Sequence, residues 1–277
     1  MKQISNVPAS VRQRLLNKAR NDRRPFNELL QYYAMERFLY RLSRSAHAGR
    51  FILKGALMLR VWNAPEQRPT MDIDLLGMAS NREEDIYAQV CDIIGVSVEA
   101  DGLTFDPDSI RVGQITDDAE YEGVRVRFGG NLGTARINMQ MDIGFGDVVY
   151  PPPVEAELPT ILGGLPPRLL CYSMESAIAE KLEAMVKRGT LNSRLKDFHD
   201  IWLLSRQFAF DGSDLSEAIR RTFAQRGTGI PSEVTAFSQP FIDARQVQWL
   251  AFLGPVLTGL ESGTEGLVHW SASGPWD

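Results

Sequence analysis

Hydrophobic positions along this chain change their period twice, giving a helical block, a block of alternating strands and a second helical block. Apolar residues recur every three or four positions over 9–21 and 25–45 (Leu15, Leu16, Leu29, Leu30, Phe38, Leu39, Leu42), which predicts two amphipathic helices. Pro25 falls in the first turn of the second, where its missing N–H costs no hydrogen bond. A short strand is predicted at 51–55, ending at Gly55, then a helical turn through Trp62 and a strand at 72–78. Asn81 is placed to cap a helix from Arg82 to about Ile94. Strands follow at 110–116, 124–129 and 135–144, separated by turn signals such as Glu122-Gly123 and Gly129-Gly130-Asn131. Pro151-Pro152-Pro153 closes the block, and a Pro- and Gly-rich connection runs through Pro167. Helices are then predicted at 173–188, about 195–208 and 213–226, and the remainder, with weak periodicity, reads as a loosely ordered tail.

Polar residues on the predicted strands carry the candidate chemistry. In Arg68-Pro69-Thr70-Met71-Asp72-Ile73-Asp74-Leu75, alternate strand residues point the same way, so Asp72 and Asp74 hold their carboxylates side by side. Two like charges that close call for a cation between them, and a divalent metal is the expected guest. The strand at 135–144 sets Ile137, Met139, Met141 and Ile143 on one side, and Asn138, Gln140, Asp142 and Gly144 on the other. Asp142 is either an exposed strand residue or a third carboxylate for an oxygen-rich nest of the kind Mg²⁺ accepts.

The second helical block contains charges on apolar faces. Met174, Ala177, Ile178, Leu182 and Met185 form one stripe, with Lys181 near its middle; Asp197 and Asp200 share a face with Ile201, Leu204 and Phe208. An unpaired buried ammonium costs several kcal/mol, so Lys181 needs a partner. Two readings stand: a buried ion pair joining the two helices, or a lysine facing a triphosphate with one of the aspartates orienting it.

Composition narrows the class. The 277 residues are 44% hydrophobic, enough for a sizeable core, and no apolar run approaches the roughly 20 residues needed to cross a bilayer. The N-terminus lacks the apolar stretch of a signal peptide, so the expected location is cytoplasmic, with no membrane partner. Cys91 and Cys171 are isolated and His47, His199 and His269 lie far apart, which argues against disulfide, structural zinc and histidine-based metal sites. Charge is uneven: residues 1–50 carry 11 Lys or Arg against 3 Asp or Glu, while residues 51–277 carry 19 against 32. This basic helical arm (Arg12, Arg14, Lys18, Arg20, Arg23, Arg24, Arg37, Arg41, Arg44) either binds a polyanion or solvates the outer sides of two helices.

Five segments in order carry a resemblance: Lys54-Gly55-Ala56-Leu57; Arg68-Pro69-Thr70-Met71-Asp72-Ile73-Asp74; Met141-Asp142-Ile143-Gly144-Phe145-Gly146-Asp147; Ala179-Glu180-Lys181-Leu182; and Asn192-Ser193-Arg194-Leu195-Lys196-Asp197-Phe198-His199-Asp200-Ile201. From about Val11 to Arg226 the chain resembles the AbiEii/AbiGii toxin-family nucleotidyltransferases. The resemblance implies an α+β fold: a DNA polymerase β-like nucleotidyltransferase core, a mixed sheet flanked by helices, with a helical C-terminal domain. The expected division is 1–165, including the basic arm, and 166–277. It further implies the toxin of a bacterial toxin–antitoxin or abortive-infection phage-defence pair, with a cognate antitoxin encoded nearby. The implied reaction transfers NMP from an NTP to an acceptor, expected to be the 3′ end of tRNA, with Mg²⁺ or Mn²⁺ as cofactor.

Carried over, Asp72, Asp74 and Asp142 are the implied metal ligands, and Asp142 is positioned to activate the attacking hydroxyl. Lys54, Gly55 and Ala56 form the implied nucleotide-binding turn, to which Arg68 and Thr70 add phosphate contacts by position. Lys181 is implied to stabilise triphosphate charge, with Asp200 and Asp197 completing the site. One departure is Ala56, where related enzymes often carry a serine whose hydroxyl reaches a phosphate. Two other classes keep the same residues: a non-catalytic nucleotide-binding regulatory module, and a metal-dependent phosphoesterase acting on water.

Overall fold

The structure, a computed structural model, describes residues 6–64, 69–115 and 123–257. The chain divides into two compact units, Met1–Ser173 and Met174–Asp277. The first contains α1 (Val7–Asn21), α2 (Phe26–Arg44), β1 (Phe51–Lys54), a 3₁₀ turn Gly55–Leu57, α3 (Met58–Val61), β2 (Ile73–Gly77) and α4 (Glu83–Ile94). It continues with β3 (Leu103–Ile115), β4 (Gly123–Leu132), β5 (Ala135–Phe145), β6 (Val154–Glu157) and β7 (Arg168–Cys171). Among the described residues these strands form one sheet in the order β3-β4-β5-β2-β1-β7-β6. It is mixed: β2 runs parallel to β5 and β1 to β7, and the other pairs are antiparallel.

One face of this sheet is the core. Ile73 and Leu75 of β2, Val124, Val126 and Phe128 of β4, and Ile137, Met139, Met141 and Ile143 of β5 are all buried there with Leu29, Met35, Phe38 and Leu42 of α2. Strand alternation then leaves Arg125, Arg127, Asn138, Gln140 and Asp142 on the opposite face. The α+β expectation is met by this mixed sheet with flanking helices and by the helical unit that follows it in the chain.

Helix α2 is more interior than its amphipathic pattern predicts, with every residue from Glu28 to Leu42 buried. Two arginines of the basic arm are therefore structural. Arg41 forms a paired contact with Asp101, Nη1 to Oδ2 at 2.6 Å and Nη2 to Oδ1 at 3.3 Å, and Arg37 Nη2 donates to the Leu165 carbonyl at 2.9 Å. Arg12, Arg14, Arg20, Arg23 and Arg44 stay exposed. Buried Glu36 accepts the Ile161 amide at 2.7 Å, and its carboxyl is raised above the usual range, burial outweighing that bond and the nearby guanidinium groups. Pro25 takes the cap position just outside α2; the cap position of α4 is Arg82, whose side chain makes no capping bond, and its first turn carries Glu83, Glu84 and Asp85.

Three strands and one helix depart from the sequence pattern, β3 by starting at Leu103, well ahead of the strand predicted at 110–116. β6 and β7 lie where a Pro- and Gly-rich connection is expected. Each has only four residues, and β7 takes its place by parallel pairing with β1, a partner far away in sequence. In the second unit α5 (Met174–Arg188), α6 (Leu195–Gln207) and α7 (Gly212–Gln225) fall where expected, α7 being capped by the Asp211 carboxylate on the Ser213 and Asp214 amides. The expected loose tail instead contains a 3₁₀ turn Thr235–Phe237 and a long α8 (Gln239–Leu257). Aromatic contacts hold α8: Phe241 stacks on Phe198 at 5.7 Å and Phe252 meets His199 edge-on at 5.8 Å. Residues 258–277 of the expected tail lie outside the described residues. No helix among the described residues is long and apolar enough to cross a membrane.

Candidate active site

Parallel pairing of β2 with β5 sets Asp74 directly beside Asp142, and Asp72 lies just ahead of β2 with the same side-chain direction. One oxygen from each of the three carboxylates lies within 4.8 Å of the others, and all three residues are half-buried. Two neighbours shape the group. The Thr70 hydroxyl donates to Asp72 Oδ1 at 2.7 Å, and the Thr70 amide meets the Tyr32 hydroxyl at 3.3 Å. Gly55 has φ of +72°, and a Cβ there would stand 1.9 Å from Asp74 Oδ2, so only glycine leaves room for that carboxylate.

Arg125 of β4 pairs in register with Asp142 and grips it with both nitrogens, Nε to Oδ1 at 2.8 Å and Nη2 to Oδ2 at 2.7 Å. This guanidinium supplies positive charge on one side of the group. An all-oxygen, partly buried donor set suits a hard divalent cation, and Asp72, Asp74 and Asp142 are the residues that would hold it. Each carboxylate oxygen has a second lone pair, so Arg125 and a metal can share Asp142.

The other sequence-derived candidates divide. Lys54 is the register partner of Asp74, and its ammonium donates to Asp147 Oδ2 at 2.9 Å and lies 5.2 Å from the Tyr172 ring centre. Ala56 is buried behind Gly55. Thr70 is 5% exposed, and its hydroxyl is engaged with Asp72. Arg68 lies outside the described residues.

In the second unit Lys181, Asp197 and Asp200 come together as one cluster. The Lys181 ammonium donates to Asp197 Oδ1 at 3.0 Å and Asp200 Oδ2 at 2.8 Å, and Arg194 Nε adds a bond to Asp197 Oδ2 at 2.7 Å. Both aspartates are about 2% exposed. Burial pushes the Asp197 carboxyl up, but Lys181 and Arg194 outweigh it and hold it below the usual carboxylate range. Of the two readings of Lys181, the interhelical ion pair is thus present, joining α5 to α6.

Three further residues had no role assigned from the sequence: Arg125, and Asp147 and Arg194, which stand in the segments that carry the resemblance. Arg125 had a partial signal, since it alternates with Val124 and Val126 on a predicted strand. Its partner depends on strand register, which one strand's sequence does not contain.

Comparison with known proteins settles the class: the chain is a nucleotidyltransferase, matching over residues 37–272 the family described as "Nucleotidyl transferase AbiEii toxin, Type IV TA system". It belongs to that toxin family, whose type IV toxin–antitoxin systems pair the enzyme with a cognate antitoxin. No curated protein matches the chain. Among solved structures it is similar to JHP933 from Helicobacter pylori, at 14% identity over 82% of this chain and 90% of that one, with a TM-score of 0.41. A second H. pylori structure, described as a candidate nucleotidyltransferase, gives 14% identity, 85% and 98% coverage and a TM-score of 0.41. Neither superposes closely enough to carry a functional inference.

Proposed function

We propose that this toxin transfers a nucleoside monophosphate from an NTP to the 3′ hydroxyl of an RNA, tRNA above all, in a metal-dependent reaction that forms the toxic arm of a phage-defence pair. The observation that carries this reading is the group of Asp72, Asp74 and Asp142 closed against a glycine that cannot be replaced without displacing Asp74. In the reaction the acceptor oxygen bonds to the α-phosphorus, the bond from that phosphorus to the bridging oxygen breaks, and pyrophosphate leaves. Asp142 receives the hydroxyl proton, and Arg125 fixes the plane of its carboxylate. Thr70 and Gly55 hold Asp72 and Asp74 in place, and the turn after Lys54 offers backbone amides to the donor phosphates. A bound Mg²⁺ or Mn²⁺ supplies neutralisation of phosphate charge and a more acidic nucleophile. Within the second unit, Asp197 and Asp200 hold the Lys181 ammonium, the group to which the family resemblance assigns stabilisation of triphosphate charge.

The test is incubation with Mg²⁺, each α-³²P-labelled nucleoside triphosphate in turn, and total bacterial RNA, beside an Asp72→Asn, Asp74→Asn variant. Label on a tRNA-sized band, dependent on the aspartates, is the expected result. Nucleotide bound but not consumed would point to a regulatory module. Labelled phosphate released without a labelled acceptor would point to a phosphoesterase.

A further inference from the structure

We infer that the open face of β3, β4 and β5 is the docking surface for the sugar–phosphate backbone of a single-stranded RNA acceptor, with Arg111 and Arg127 as its phosphate contacts. This rests on the transfer reading of the three aspartates and adds a surface to it. Strand register arranges that face in rows. One row runs Gly113, Arg125, Asp142, Asp74, Lys54 across β3, β4, β5, β2 and β1. The next runs Arg111, Arg127, Gln140, one step along the strands.

Direction follows from in-line displacement. The nucleotide-binding turn at Gly55 lies at the β1 side of the aspartates, so pyrophosphate departs on that side. The attacking hydroxyl then comes from the opposite side, past Asp142, where β4 and β3 lie. Among the described residues, the side chains on that face include Arg111, Arg125, Arg127, Asn138 and Gln140. A recess of about 600 Å³ beside Asp72 is lined in part by Ser109, Arg127, Asn138 and Gln140. A second, of about 300 Å³, is lined in part by Arg111, Gln114, Arg125 and again Arg127, so the two adjoin.

Two details favour an anion over plain solvation. Arg111 and Arg127 face each other directly across β3 and β4, a like-charge pairing that costs stability. Neither has a carboxylate partner among the described residues: Arg127 Nε bonds to Gln140 Oε1 at 3.1 Å, and Arg111 Nη1 bonds to the carbonyls of Asp108 at 2.9 Å and Ile110 at 2.7 Å. The floor is also bare. Gly113 sits in the Arg125 row, and a Cβ there would meet nothing within 4 Å, so packing does not require glycine at that position. A strand glycine that packing does not require leaves space for a ligand backbone to approach closely.

The experiment measures binding of a fluorescein-labelled 12-nucleotide single-stranded RNA to the full chain across a salt series, with Mg²⁺-dependent binding of a fluorescent ATP analogue measured in parallel. For Arg111→Gln/Arg127→Gln, RNA affinity at low salt falls roughly tenfold or more, and the slope of log K against log salt shrinks by about 1.4, about 0.7 for each lost phosphate contact. Nucleotide binding stays as in the wild type, which also shows that the variant is folded. Arg111→Lys/Arg127→Lys restores the salt slope and serves if the glutamine variant fails to fold. An unchanged RNA affinity and slope in the glutamine variant overturns the proposal, as does a wild type that binds no RNA or one that labels only a protein acceptor. The transfer reading is separated by Asp72→Asn/Asp74→Asn, which abolishes transfer while keeping RNA binding. Transfer with an unchanged RNA KM in the arginine variant sinks the surface alone, and RNA binding lost in that variant without any wild-type transfer sinks the chemistry alone.

Discussion

At position 55 a missing side chain does the work of a functional one. The positive φ of Gly55 and the 1.9 Å approach that a Cβ would make to Asp74 Oδ2 tie the turn and the carboxylate into one device. Gly55→Ala therefore has two effects, backbone strain and a displaced Asp74, and the second falls on activity. A displacement of about 1 Å at a reacting centre costs about 10²-fold in rate. Nucleotide transfer by Gly55→Ala is expected to drop by about that factor, while its thermal midpoint falls by only a few degrees. Comparing the transfer rate with the melting temperature of the same preparation checks this, and a large loss of both would mean that the turn is needed for folding rather than for placing Asp74. Legibility at this scale was uneven. Asp72 and Asp74 could be read as a pair from their spacing alone, whereas nothing in the position of Thr70 reveals that its hydroxyl turns back to Asp72.

Among the elements, α2 shows how a basic segment can be interior. Its arginines satisfy their charge inside: Arg41 and Asp101 each have side chains only 8% exposed, and Arg41 also donates to the Arg37 carbonyl at 3.0 Å. Removing one partner of such a pair leaves the other charged and buried, at a cost of about 3–5 kcal/mol. Arg41→Met is accordingly expected to destabilise the protein by about that much, and Arg44→Met, at an exposed site, by less than about 0.5 kcal/mol. Urea titration of the two variants beside the wild type decides it; equal effects would mean that α2 is less buried than described. The boundaries of α5, α6 and α7 were legible because each repeats an apolar stripe over three or more turns. β6 and β7 were not, because four residues are too few to show a period.

At the scale of the whole molecule, charge links stability to pH through the second unit. The ionised Asp197 is favoured in the fold by Lys181 and Arg194, so its carboxyl titrates below its unfolded value of about 3.9. A depressed carboxylate contributes stability that is complete above the unfolded value and is lost as pH falls through the folded one. Asp197→Asn should therefore lower the denaturant midpoint near pH 7, and its difference from the wild type should shrink steadily below about pH 4. Urea midpoints followed by circular dichroism from pH 7 to pH 2 would reveal this, and a difference that stays constant with pH would rule out Asp197 as the titrating group.

What the sequence determined by itself is local and periodic. Strand and helix periods placed the blocks, the alternation at 72–74 and 135–144 put the acidic side chains on polar faces, and Lys181 and its two aspartates stood out as charges on apolar stripes. Tertiary structure decided the pairings. Only the β2–β5 register sets Asp74 beside Asp142, only the β4–β5 register sets Arg125 on Asp142, and only packing turns Arg37 and Arg41 inward. The reason is that a residue's period is a property of its own segment, while its partner is set by contacts between segments distant in the chain, and those contacts exist only once the core has closed.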